Sequence, residues 1–151
     1  MTMRPWGALV LLLAAGALAS CAGSPEVLDN GAVQVAVYPA PQGILAIAQP
    51  ADVIDLGDGC VGVELPGYDE SPMILAVPLG STLDADGNIS VVTPDILELD
   101  EPTFAVGDQI HMQAAHIYRK GEHVPDDVLI PDACPSVGVW LMLPYSTDLG
   151  G

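Results

Sequence analysis

Three cysteines, three histidines and several closely spaced acids are the residues of this 151-residue chain whose types could carry chemistry. His111, His116 and His123 lie close together with Met112 adjacent, and imidazole with thioether suits copper. On one strand, however, positions 111 and 116 have opposite parity and point to opposite faces, so only a bend or bulge would bring them together. Asp84-Ala85-Asp86-Gly87-Asn88 offers oxygens at the spacing a calcium loop uses. A twelve-residue calcium loop starting at Asp84 would need Gly where Ile89 stands and Glu where Asp95 stands. Gly87 directly after Asp86 suits a tight hairpin turn instead. Asp55, Asp58 and Asp126-Asp127 are too sparse for a cage, and Asp95, Glu98, Asp100 and Glu101 read as a charged strand edge that discourages sheet-to-sheet pairing. No metal site and no cofactor are therefore expected, the candidates weighed being Asp84, Asp86, His111 and His116.

The catalytic inventory is equally thin. The chain has no Gly-x-Ser-x-Gly elbow, no His-Glu-x-x-His pair and no Gly-rich phosphate loop with Lys. Ser81 has no base at motif spacing, and with 20 acids carboxylate pairs arise by chance. Arg119 and Lys120 could clamp an anion but sit beside Gly121, in what reads as an exposed turn. Aromatic residues are too few for a glycan-binding face, and Trp140, within Val139-Trp140-Leu141-Met142-Leu143, reads as core packing. A reactive thiolate needs a cation, a histidine or a helix start beside it. Cys60 instead follows Asp55, Asp58 and two glycines, and Cys134 sits in Asp132-Ala133-Cys134-Pro135.

The elements that must position these residues come after a leader. Arg4 precedes a continuous apolar run, Ala8 to Leu18, which ends in the small residues Ala19 and Ser20. That is the pattern of a secretory signal peptide. The run from Trp6 to Ala19 falls short of the ~20 apolar residues that span a bilayer, and no stop-transfer charges follow it. Leu18-Ala19-Ser20-Cys21 resembles the lipobox of bacterial lipoproteins, with an aliphatic residue, two small residues and the acceptor cysteine each in place. The resemblance implies that a diacylglyceryl group is attached to the Cys21 thiol and that cleavage makes Cys21 the new N-terminus. Residues 1–20 are then a lipoprotein signal peptide. Two or more acyl chains, at about 0.8 kcal/mol per buried methylene, anchor a chain stably. The expected location is the outer face of the cell membrane, or the outer membrane where the source has two, since Ala rather than Asp follows the cysteine.

With Cys21 lipidated, Cys60 and Cys134 remain as an even pair on an exported domain, which predicts a disulfide. Closing a loop of that length would constrain the unfolded chain by roughly 4 kcal/mol in the entropy model. Arg4 departs with the leader, leaving 2 cations against 20 acids and a formal −18 in the mature chain. A body this acidic repels phosphate backbones, which excludes nucleic-acid partners. Half the residues are apolar, which excludes a disordered acidic tail. The length allows a single domain with one core.

Residues 21–31 lack periodicity and read as a flexible tether, 32–145 as a single β domain and 146–151 as a flexible tail. Within the domain, apolar or β-branched runs alternate with turn clusters. Val33 to Tyr38 alternates outside and inside, and Gly43 to Ala48 is a second apolar run. Asp52–Leu56 and Cys60–Leu65 flank Gly57-Asp58-Gly59 as a hairpin, and Ser81–Leu83 and Ile89–Val92 flank Asp86-Gly87 as another. Met73 to Val77 is a buried strand, and Gln109–Tyr118 and Val137–Leu143 complete the series. Prolines 66, 72, 78, 94, 102, 125, 131, 135 and 144 leave no room for a long helix. A short helical turn at Pro125-Asp126-Asp127-Val128 would suit the acids that follow the proline. The expected fold is all-β, a small OB-like barrel or a sandwich with one disulfide. The segments Gly59-Cys60-Val61, Pro78-Leu79-Gly80-Ser81-Thr82, Val106-Gly107-Asp108 and Cys134-Pro135 resemble uncharacterised small exported domains of actinobacterial lipoproteins, which implies an OB-like barrel and brings no active site.

The function these readings predict is a lipid-anchored envelope protein, membrane-bound through Cys21, whose domain binds an envelope protein or a small ligand without catalysis. A divalent-cation-binding module is the alternative, and a small carboxylate-dependent hydrolase the second.

Overall fold

A computed structural model describes residues 25–39, 49–93 and 101–143. The leader 1–20, Cys21, the run Gly43–Ala48, most of the acidic stripe at 95–101 and the tail 146–151 lie outside the described residues. Those described form β1 (Leu28–Asp29), β2 (Gln34–Tyr38), β3 (Gln49–Asp55), β4 (Val61–Glu64), β5 (Met73–Pro78), β6 (Thr82–Leu83), β7 (Ile89–Ser90), β8 (Thr103–Phe104), β9 (Gln109–Met112), β10 (Ala114–Tyr118) and β11 (Val139–Met142). The fold is all-β. Among the described residues no helix is long and apolar enough to cross a membrane.

β5 is the axis of the larger sheet. Along one edge it pairs in parallel with β11, from Val139↔Ile74 to Leu141↔Ala76. Its other edge is shared: β4 pairs antiparallel at Met73 and Ile74, and β2 pairs in parallel from Ala76 to Pro78. From β4 the sheet continues antiparallel through β3 to β9. β6, β7 and β8 form a separate three-stranded antiparallel sheet.

Side chains alternate between the faces of a strand, and here both faces are covered. Val35, Val37, Met73, Leu75, Val77, Trp140 and Met142 enter one apolar cluster, whereas Ala36, Tyr38, Ile74, Ala76, Val139 and Leu141 enter another. This is why Met73–Val77 reads as an unbroken apolar run. It also corrects the one-sided reading of Val33–Tyr38, since Val35 through Tyr38 are all buried. The second cluster is roofed by an irregular stretch that contributes Val124, Val128, Ile130, Cys134 and Val137. Burial pushes the Tyr38 phenol well above its usual pKa of 10, and its hydroxyl donates to the Met142 carbonyl.

Three further expectations change. The tether expected over 21–31 is shorter, because β1 pairs with β2 through Leu28↔Val35 and Asp29↔Gln34. Asn30 makes that possible: its Oδ1 accepts the N–H groups of Ala32 at 3.0 Å and Val33 at 2.8 Å, closing a tight turn over Gly31. The single run Gln109–Tyr118 breaks at Gln113, so that β9 serves β3 while β10 serves β11. A register shift between Ala114 and His116 follows the break. At Pro125–Val128 the chain makes one hydrogen-bonded turn, Val128 N–H to Pro125 O at 3.0 Å, and no helix.

Candidate functional site

Cys60 and Cys134 form the expected disulfide, 74 residues apart in sequence with Cα atoms 5.2 Å apart. Cys60 is fully buried where the β3–β4 turn enters β4, and its N–H donates to the Gly57 carbonyl at 3.0 Å. Cys134 lies in the irregular roof of the second cluster, where its N–H donates to Pro131 O at 3.0 Å. The bond therefore fastens a segment with few ladder hydrogen bonds onto a hairpin that has many. Gly59 lets the turn pass under the start of β2. It has φ +80°, and a Cβ there would stand 2.2 Å from the Ala32 carbonyl oxygen.

The calcium-loop candidate is a turn. The Asp84 carboxylate accepts the N–H groups of Asp86 at 2.9 Å and Asn88 at 2.8 Å on Oδ1, and the Asn88 side-chain amide at 2.8 Å on Oδ2. These donors occupy the lone pairs that a hard cation would need. The Asn88 side-chain amide, with backbone N–H groups adding to it, holds the Asp84 carboxyl below its usual 3.8. Asp86 is exposed in the same turn. The histidines are dispersed: His111 is exposed on β9, His116 is exposed on β10 against the ring of Tyr118 at 4.4 Å, and His123 is exposed in the following turn. Among the described residues no three or more His, Cys, Asp or Glu are grouped to hold a metal ion.

What the fold does gather is a carboxylate-lined cleft beside β4. Asp52 of β3 and Glu64 of β4 are direct cross-strand partners, so their Cβ atoms stand roughly 5 Å apart on one face. The loop after β4 completes the cleft, which has a volume of about 410 Å³, with Pro66, Tyr68, Asp69 and Ser71. The Ser71 hydroxyl accepts the Leu65 N–H at 2.8 Å and so holds this loop in place. Gln109 of β9 donates from Nε2 to Asp52 Oδ1 at 3.0 Å, extending the polar row across a third strand. On the far side of Tyr68 and Asp69 a second hollow of about 350 Å³ reaches Glu70 and Arg119. There Arg119 Nε meets Glu70 Oε1 at 3.6 Å.

Chemically, the cleft presents oxygen acceptors in the open, and the guanidinium of Arg119 lies in the second hollow. Such a surface attracts cations and basic groups. Ser71 and Ser81 both hold backbone, the Ser81 hydroxyl accepting the Val92 N–H at 3.2 Å. Asp52 and Glu64 were not among the residues singled out from the sequence. The signal was nevertheless present, since each lies six positions from Asp58, the centre of the β3–β4 turn. Compared with family models, with curated proteins and with solved structures, this chain matches none.

Proposed function

We propose that this chain is a lipid-anchored envelope protein, held through Cys21 at the outer face of a cell membrane, whose β domain binds a partner without catalysing a reaction. The observation that carries the reading is the use of the cysteines. Two of the three are joined as Cys60–Cys134, which suits an oxidising compartment outside the cytoplasm. The third follows Leu18-Ala19-Ser20 at the end of an apolar leader. We read the domain as a small OB-like barrel rather than a sandwich. Support comes from β9 and β10, two halves of one bent segment separated only by Gln113 and paired to strands on opposite sides of β5. The partner is an envelope protein or a small ligand bearing positive charge, because the Asp52–Glu64 cleft offers acceptors on a body of formal charge −18.

Mass spectrometry of the native polypeptide tests the anchor. The expected result is an N-terminus at Cys21 carrying a diacylglyceryl thioether, with Cys21→Ser moving the protein from the membrane fraction to the medium. An unmodified N-terminus elsewhere would falsify the reading.

A further inference from the structure

We propose that the apolar groove between residues 25–29 and 128–130 is the face on which the domain rests against a zwitterionic bilayer surface, an inference that depends on lipidation of Cys21. The groove arises from how β2 is edged. β1 covers only Gln34 and Val35, and further along Leu129 takes over, exchanging hydrogen bonds with Val37 at 2.8 and 3.0 Å. Residues 25–27 leave the sheet to make room for it. A hollow of about 480 Å³ remains, lined by Pro25, Val27, Val128, Leu129 and Ile130.

Chain length places this hollow at the membrane. Pro25 stands four residues beyond Cys21, and four extended residues reach at most ~14 Å. An anchor at Cys21 therefore keeps the groove within that distance of the headgroups. The clefts beside Tyr68 are lined with carboxylates, whereas this groove is mainly aliphatic. Glu26 and Asp29 also line it, and no Lys or Arg does. Anionic headgroups are repelled by such a rim, so a neutral surface is the one it fits. Free in solution the contact is too shallow to hold. Tethering on a short linker raises the effective concentration to about the millimolar range, where a weak contact suffices.

The test uses the native lipidated protein, its Cys21 modification checked by mass, in phosphatidylcholine vesicles carrying brominated acyl chains. V27W reports from the groove and D69W from the acidic cleft. Quenching at V27W is expected to exceed that at D69W by at least about twofold, as for a ring seated at the acyl boundary. The excess should shrink when phosphatidylglycerol is added at low salt and return when salt is raised. Hydrogen exchange of the wild-type protein supplies a second readout, with slowing at residues 25–29 and 128–130 on vesicles and not in the C21S protein. Equal quenching at both positions, or quenching that strengthens with phosphatidylglycerol, overturns the proposal while leaving the anchor intact. Slowed exchange in concentrated C21S protein without vesicles assigns the groove to a second copy and also overturns it. An unmodified Cys21 removes both the anchor and this inference.

Discussion

In the hairpin β3–β4 two carboxylates, Asp52 and Glu64, stand opposite one another on an open sheet face, whereas in β6–β7 the carboxylate of Asp84 is turned back onto its own loop. The two hairpins share their ingredients: Asp and Gly at the turn, short β-branched flanks and a left-handed glycine. They differ in what closes them. The first is stapled from beneath by Cys60–Cys134 and passes tightly under Ala32. The second has no covalent tie and relies on Asp84, Asn88 and the Asn30 amide, which donates to the Asp84 carbonyl at 2.9 Å. An acid whose lone pairs are filled by N–H groups of its own loop holds that loop closed, whereas Asp52 and Glu64 face each other across two strands, with Gln109 donating to Asp52 from a third. Composition cannot separate these uses, because it counts a carboxylate the same whatever that carboxylate touches.

Five variants can break or sharpen that contrast. The largest effect is expected from Cys60→Ser with Cys134→Ser, which should cost about 4 kcal/mol by freeing the unfolded chain. Urea unfolding of the oxidised protein reads it directly, and an unchanged midpoint would mean that the roof of the second cluster holds without its staple. Gly59→Ala should come next. It combines left-handed backbone with a clash on the Ala32 carbonyl and should cost about 3 kcal/mol. Gly87→Ala shares the positive φ but meets its nearest neighbour, Val33 Cγ2, only at 3.7 Å, so about 1 kcal/mol is expected. Equal losses at the two glycines would show that backbone conformation, and not the close approach, sets the cost.

Asp84→Ala should lower the melting temperature at neutral pH. The folded carboxyl is depressed below its unfolded value, so its contribution is present above the usual 3.8 and is lost as pH falls through the folded value. Melting curves of the two proteins should therefore converge in strong acid, and a gap that persists there would point to packing rather than charge. Glu64→Lys should have the smallest effect. Replacing a like pair by an opposite pair should stabilise by a few tenths of a kcal/mol, and the gain should fade as salt is added. A loss of stability would show that Asp52 and Glu64 already share a bound counter-charge.

Much of the β3–β4 hairpin is legible in the sequence because Gly57-Asp58-Gly59 separates two β-branched runs, but the register, with Asp55 opposite Val61, is set by the structure. Once that register is drawn, Asp52 meets Glu64. The Asp84 turn is legible from the position of Gly87, and the disulfide from the two cysteines that remain once the lipobox resemblance sets Cys21 aside. Asn30-Gly31 carries a similar turn signal, but it lies among residues without periodicity, which hides the strand before it. The break at Gln113 has no such marker. Gln109–Tyr118 has the composition of one strand, and only its different neighbours, β3 and then β11, divide it.

The sequence by itself determined the all-β class, the two glycine turns, the buried strand at Met73–Val77 and the pairing of Cys60 with Cys134, because each follows from a local rule or from elimination. The tertiary structure alone decided that β5 would share one edge between β2 and β4 and that both faces of β2 would be buried. It also decided that the loop after β4 would close a cleft over Asp52 and Glu64. Those outcomes depend on which strand lies beside which, and side-chain periodicity records only that a strand has two faces, not what comes to cover them.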